Sequence, residues 1–152
     1  MPFFLVAAAL VILDQVTKLL TRLYIPLGDK ITLIPHVVGL TYVQNTGAAF
    51  SSFSGGTWLL ALISLVISVL LVAALVRKWL RHPFPRWCMA VVLAGAVGNL
   101  IDRVFFGYVT DMVDTLFIRF AVYNFADICV VLGGIALAVY VIFFYEKLEG
   151  KK

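Results

Sequence analysis

The sequence predicts an all-α integral membrane protein: four transmembrane helices with a small extracytoplasmic β-cradle or flap between the first and second. Three observations predict it. The 152 residues are 63% hydrophobic and 13% charged, with a mean hydropathy of +1.06, whereas soluble domains run at about 45–50% apolar and about 25% charged. Four apolar stretches, about 3–23, 57–76, 87–105 and 124–145, are each long enough to cross a bilayer as a helix. The basic residues outside those stretches concentrate in one short loop and the tail. The chain thus reads as a single polytopic domain, residues 1–152, with extracytoplasmic segments 25–56 and 106–123, a cytoplasmic loop 77–86 and a cytoplasmic tail 146–152.

The first span, Phe3–Leu23, lacks the basic flank and the small-residue cleavage pattern of a secretory signal, so it reads as a retained helix. It carries Asp14 and Lys18, four residues apart and able to pair on one face, with Gln15 and Thr17 nearby. Two roles fit that pair: a brace that fixes the helix in its bundle, or direct contact with substrate. From Ile25 to Gly56 the chain is too polar and too broken by Pro26, Gly28, Pro35, Gly39 and Gly47 to span. Within it, Lys30–Val43 is rich in β-branched residues, which favours short strands or an extended flap resting on the bilayer surface. A run of small residues follows. Gly47 and its neighbours permit close backbone approach by a ligand, and Asn45 offers both a donor and an acceptor; a plain turn before the next helix fits the same residues.

Thr57–Val76 carries no charge and has only Ser64 and Ser68 as polar interruptions beyond its first residue, so its role is packing. The loop after it holds Arg77, Lys78, Arg81 and Arg86, with Trp79 and Trp87 at its edges, the pattern of a cytoplasmic loop at a membrane boundary. It is too short and proline-broken for a nucleic-acid patch. The third span, Trp87–Phe105, places Asn99, Asp102 and Arg103 on one face at i, i+3 and i+4, after Gly95 and Gly98. Arg103 can brace Asp102 internally or reach into a wet cavity. Phe106–Tyr123 reads as a short loop carrying Asp111, Asp114 and Arg119. Asn124–Tyr145 is the fourth span, with Asn124 and Asp127 on one face.

Arg77, Lys78, Arg81, Arg86, Lys147, Lys151 and Lys152 lie on one side of the four spans, and only Lys30 and Arg119 lie in the loops of the other. That bias predicts both termini in the cytoplasm and the polar cluster at the outer face. Cys88 and Cys129 sit in apolar runs without paired spacing and read as small hydrophobes, while His36 and His82 lie in separate loops without companions. The sequence therefore predicts no metal site and no cofactor.

The stretch Val109–Val130 carries the chemistry. Asp127 opens a run that stays uncharged to Tyr145, and a carboxylate at the mouth of a span is costly enough to be a functional candidate. The fifteen residues between Asp111 and Asp127 can close a loop that brings the two together. Paired carboxyls cannot both ionise easily and come to share a proton, as in aspartic proteases. On these residues alone the pair is open to peptide hydrolysis, to proton-coupled or ion-coupled transport, and to a lipid-modifying transferase or a non-catalytic scaffold.

Five motifs narrow the choice. DQVTK at Asp14–Lys18, QNTGAAF at Gln44–Phe50, GNLIDR at Gly98–Arg103, VTDMVD at Val109–Asp114 and YNFADICV at Tyr123–Val130 occur in this order across nearly the whole chain. Together they resemble bacterial lipoprotein signal peptidase, or signal peptidase II. The resemblance implies an aspartic endopeptidase of the bacterial cytoplasmic membrane, a four-helix bundle with a β-cradle, acting without a cofactor. It implies substrates that are diacylglyceryl-modified prolipoproteins, cut on the amino-terminal side of the modified cysteine. It further implies Asp111 and Asp127 as the catalytic dyad, Asn45, Asn99, Arg103 and Asn124 as substrate-binding, and Asp14, Lys18, Gly47 and Asp102 as supporting. Contact with membrane lipids, action as a monomer and binding of globomycin-like peptide inhibitors are expected on the same ground. Tyr123 stands where the family pattern leads one to expect phenylalanine.

Overall fold

The computed structural model describes residues 1–47 and 56–150. The small-residue run from Ala48 to Gly55 and the terminal Lys151 and Lys152 lie outside the described residues. Four helices are long and apolar enough to cross a membrane: α1 (Pro2–Tyr24), α2 (Thr57–Arg77), α3 (Pro83–Phe106) and α4 (Phe125–Phe143). A three-stranded antiparallel sheet, β1 (Lys30–Ile34), β2 (Val38–Asn45) and β3 (Val109–Thr115) in that order, sits at one end of the bundle. A short helix α5 (Tyr145–Glu149) closes the other end.

Helix α3 is the centre of the bundle. Half of its apolar window is buried, against 22% for each of the other three spans, and α1, α2 and α4 all pack on it. The sequence explains why. Ala90, Ala94, Gly95, Ala96 and Gly98 keep α3 thin, so neighbouring backbones come close, the usual basis of helix association where lipid removes the hydrophobic drive. A carbon added at Gly95 would collide with the Ala126 carbonyl and with Val130 of α4, and one at Gly98 would meet Asp14 Oδ2 at 2.5 Å. Away from α3, Leu5, Ile12, Leu59, Val69, Leu132 and Ile142 are exposed on the outer faces, as surfaces solvated by lipid tails would be.

Two local boundaries differ from the sequence expectation. Helix α3 begins at Pro83 rather than near Trp87. Pro83 and Pro85 fall in its first turn, where the missing N–H groups have no intrahelical partner to lose. His82 caps this end, its Nδ1 accepting from Phe84 N at 3.3 Å. Glu149 of α5 folds back to accept the N–H groups of Arg81 and His82, each at 2.8 Å. The second difference matters for the site. The segment after α3 is not a plain loop: Gly107, left-handed at φ +76°, ends the helix and turns the chain into β3. Strand β3 completes the sheet by pairing with β2 in a register that sets Asp111 opposite Val43 and Val109 opposite Asn45. The cradle therefore takes strands from two separate segments, not from the α1–α2 connection alone. The Tyr123 backbone holds the return limb, its carbonyl accepting from Val113 N at 2.8 Å and its N–H donating to Val113 at 3.1 Å.

Candidate active site

Asp127 is the third residue of α4 and part of a reciprocal cap. Its N–H donates to Asn124 Oδ1 at 3.0 Å, and its Oδ2 accepts from Asn124 N at 3.2 Å. The cap fixes the carboxylate at the positive end of the helix dipole. Asp111 reaches the same point from strand β3 and is buried, at 2% exposure. Its Oδ1 accepts from Asn124 Nδ2 at 2.6 Å and its Oδ2 from Asn45 Nδ2 at 2.9 Å. A helix end and a strand thus meet through one asparagine.

Three asparagines line the pair, and the orientation of each amide is dictated by chemistry. Asn124 Oδ1 is taken by Asp127 N, Asn45 Oδ1 by Gly47 N at 2.9 Å, and Asn99 Oδ1 by Lys18 Nζ at 2.9 Å. All three partners are donors only. Each amide must therefore turn its NH₂ toward a carboxylate: Asn124 and Asn45 to Asp111, and Asn99 to Asp127 Oδ1 at 2.7 Å. Burial pushes the Asp111 carboxyl up to about 6 from an ordinary 3.8. The Asn45 and Asn124 hydrogen bonds and the Lys18 charge pull it down, while the neighbouring Asp127 charge raises it further. An acid so placed can hold a proton near neutral pH and share it with its neighbour.

Arg103 does not brace Asp102. Its guanidinium lies in the field of Asp127, Asp111 and Asp102, with long contacts of 3.5 Å to the Asn99 and Gly47 carbonyls. Its Nε has no hydrogen-bond partner among the described residues. Asp102 instead turns toward α1 and β3. It lies 3.6 Å from Lys18 Nζ and 3.8 Å from Arg22 Nη1, and accepts from Thr110 N at 2.8 Å. Asp14 pairs with Lys18 at 2.9 Å, and Gln15 bonds both Asp14 and the Gly98 carbonyl. Sequence reasoning missed Arg22 and Thr110. The four-residue spacing Asp14, Lys18, Arg22 was a usable signal for the first. Thr110 gives Asp102 its backbone N–H, for which side-chain identity carries no signal, and its hydroxyl accepts from Arg22 Nη1 at 2.8 Å.

The dyad stands at the polar end of a cavity of about 710 Å³. Asn45, Gly47, Asn99 and Arg103 line that end, and the cavity continues between α2, α3 and α4 past Ile67, Val92 and Val131. All ten residues predicted for the site are thereby placed in two adjoining groups. Asp111, Asp127, Asn45, Gly47, Asn99 and Arg103 face the cavity and Asn124 bridges the dyad behind it, while Asp14, Lys18 and Asp102 form a buried hub on the far side of Asn99. Among the described residues no cluster of His, Cys, Asp and Glu could hold a metal ion. The chemistry on offer is that of two coupled carboxyls, a cation and oriented amides at the head of an apolar channel.

Comparison with known proteins gives the family and the fold. Residues 6–143 match the family described as signal peptidase (SPase) II. The chain is 40% identical over 140 residues to the lipoprotein signal peptidase of Enterococcus faecalis, covering 92% of this chain and 87% of that one. It is 43% identical over 141 residues to that of Microcystis aeruginosa, covering 90% and 89%. A bacterial membrane enzyme structure obtained by the in meso method at 2.3 Å superposes with a TM-score of 0.86 at 31% identity, over 99% of this chain and 92% of the other. A second, at 1.9 Å, gives a TM-score of 0.85 at 32% identity over 94% of each. With a match spanning most of its length, and a fold shared with bacterial membrane enzymes, this multi-pass membrane protein belongs to the signal peptidase II family of proteases.

Proposed function

We propose that the chain removes signal peptides from prolipoproteins, cutting on the amino-terminal side of a diacylglyceryl-modified cysteine with Asp111, Asp127 and a water. The supporting observation is the junction of the two carboxyls, from β3 and α4, at the head of a channel that runs down between the helices. A lipid-modified cysteine holds its peptide bond at the membrane surface with its acyl chains below, and this channel offers both environments.

In the proposed reaction Asp127, whose two oxygens each receive an N–H donor, is the base. It takes a proton from water as the oxygen attacks the scissile carbonyl carbon. Asp111, carrying the shared proton, donates a hydrogen bond to the carbonyl oxygen and stabilises the developing oxyanion. The tetrahedral intermediate collapses when the C–N bond breaks and the proton on Asp127 passes to the departing cysteine nitrogen. Arg103 and Asn45, at the rim of the dyad, hold the peptide backbone. Both termini are placed in the cytoplasm and the dyad at the outer face.

The test is cleavage of a diacylglyceryl-modified prolipoprotein peptide, with its unmodified counterpart as control. The expected result is cleavage of the lipidated peptide alone, and a loss of at least about 100-fold for Asp111→Asn and for Asp127→Asn, the scale of acid–base catalysis. Substantial turnover by either variant would remove that carboxyl from the chemical step. Proton or ion flux in liposomes dependent on Asp127, without proteolysis, would replace the peptidase reading by a transporter.

A further inference from the structure

Two buried carboxylates outside the dyad hold the backbone immediately before each dyad member. Asp102 Oδ2 accepts the N–H of Thr110 at 2.8 Å, one residue before Asp111. Asp14 Oδ1 accepts the N–H of Ala126 at 2.9 Å, one residue before Asp127. Lys18 lies between them at 0% exposure, with Nζ 2.9 Å from Asp14 and 3.6 Å from Asp102. Its ammonium also donates to Asn99 Oδ1 at 2.9 Å, and Asn99 Nδ2 donates on to Asp127 at 2.7 Å.

The Asp14 pair lies within α1, and both Asp102 and Asn99 belong to α3, so either could tie the two helices together. The Asn99 bond differs from a plain tie in what lies beyond it: the same amide donates on to Asp127. If Lys18 were absent, the Asn99 amide could turn its carbonyl to Asp127, an oxygen facing a carboxylate, and Asp127 Oδ1 would lose the donor that fixes its direction.

We propose that Lys18 is a positioning residue for peptide-bond cleavage: by fixing the Asn99 amide it keeps the Asp127 carboxyl aimed at the water. This rests on the peptidase reading above. Lys18 touches neither carboxyl of the dyad by any ion pair or hydrogen bond found among the described residues; its charge acts directly on Asp111, whereas its hold on Asp127 passes through Asn99 and the backbone anchor at Ala126.

Lys18→Met alone leaves Asp14 and Asp102 buried beside a single cation, Arg22, and is at risk of not folding. The decisive experiment is therefore a double-mutant cycle in an Asp14→Asn background, where losing Lys18 leaves Asp102 paired with Arg22 and Thr110 and the hub neutral. In that background Asn99→Ala, Lys18→Met and both together are compared for folded yield, thermal unfolding, kcat and KM on the lipidated peptide. The expected result is a fall in kcat of about 10–100-fold for Lys18→Met with KM within about threefold, and almost no further fall when Asn99→Ala is already present. Equal losses with and without Asn99, or losses that track only the folded fraction, would overturn the proposal and leave Lys18 a brace. Absence of cleavage by the unsubstituted protein would instead overturn the peptidase reading, before any variant is compared.

Discussion

Asp111 combines burial that holds its proton with a second carboxyl, Asp127, whose charge raises its pKa further. Its carboxyl sits at about 6, above the ordinary 3.8, so the folded protein binds this proton more tightly than the unfolded chain. Stability drawn from it is complete below about pH 4 and is lost as the pH rises through 6. A shift of that size is worth on the order of 3 kcal/mol. The thermal unfolding midpoint in detergent should fall between pH 4 and 6.5, and Asp111→Asn should lack that part of the fall; an unchanged profile would contradict the buried acid. If Asp111 is the acid of the proposed reaction, kcat/KM should show an alkaline limb near pH 6 that belongs to the pair rather than to one residue. At this scale the two carboxyls were legible from their place at the mouth of a span. Spacing left Arg103 open to either a brace with Asp102 or a reach into the cavity, and the resemblance alone set the two residues apart; which groups engage Asp102, namely Lys18, Arg22 and the β3 backbone, only the fold shows.

Asp127 is only as well placed as the contact between α3 and α4, and that contact has no slack. Gly95→Ala should drive a methyl into the Ala126 carbonyl and Val130, pushing the head of α4 outward. A loss of about 1–3 kcal/mol in stability is expected from such overpacking, with a larger proportional loss in kcat because the displaced residues adjoin Asp127. Gly134→Ala, where the added carbon meets nothing within 4 Å, should be neutral or stabilising by up to about 1 kcal/mol. Comparable effects from both, read by thermal unfolding and cleavage rate, would refute the tight-contact account. The helices were legible as elements because lipid enforces long uncharged runs. Strand β3 was not, since its partner β2 lies more than sixty positions away and seven residues holding two aspartates give little periodic signal. The start of α3 was hidden by Pro83 and Pro85, which read as breakers yet suit a first turn.

The molecule as a whole has a polarity that labelling can test. Both native cysteines are buried, so an introduced thiol reports its own position. Arg81→Cys should be shielded from an impermeant thiol reagent in intact cells lacking an outer-membrane barrier, and Asp29→Cys should react; the reverse pattern would put the dyad in the cytoplasm. The four spans and their likeness to a known family were legible over nearly the full chain, because five short motifs keep their order. What the sequence left open was depth: which polar residues face the channel and which lie behind it, a matter of helix rotation and strand register that motif order does not encode. The dyad also has a consequence for biosynthesis. Asp127 stands at the head of α4, and the N–H of Ala126, the residue before it, is held by Asp14 of α1. If both carboxyls are required, a nascent chain carries no protease until α4 has entered the bilayer and met α1, so the order of insertion is itself a safeguard against premature cutting.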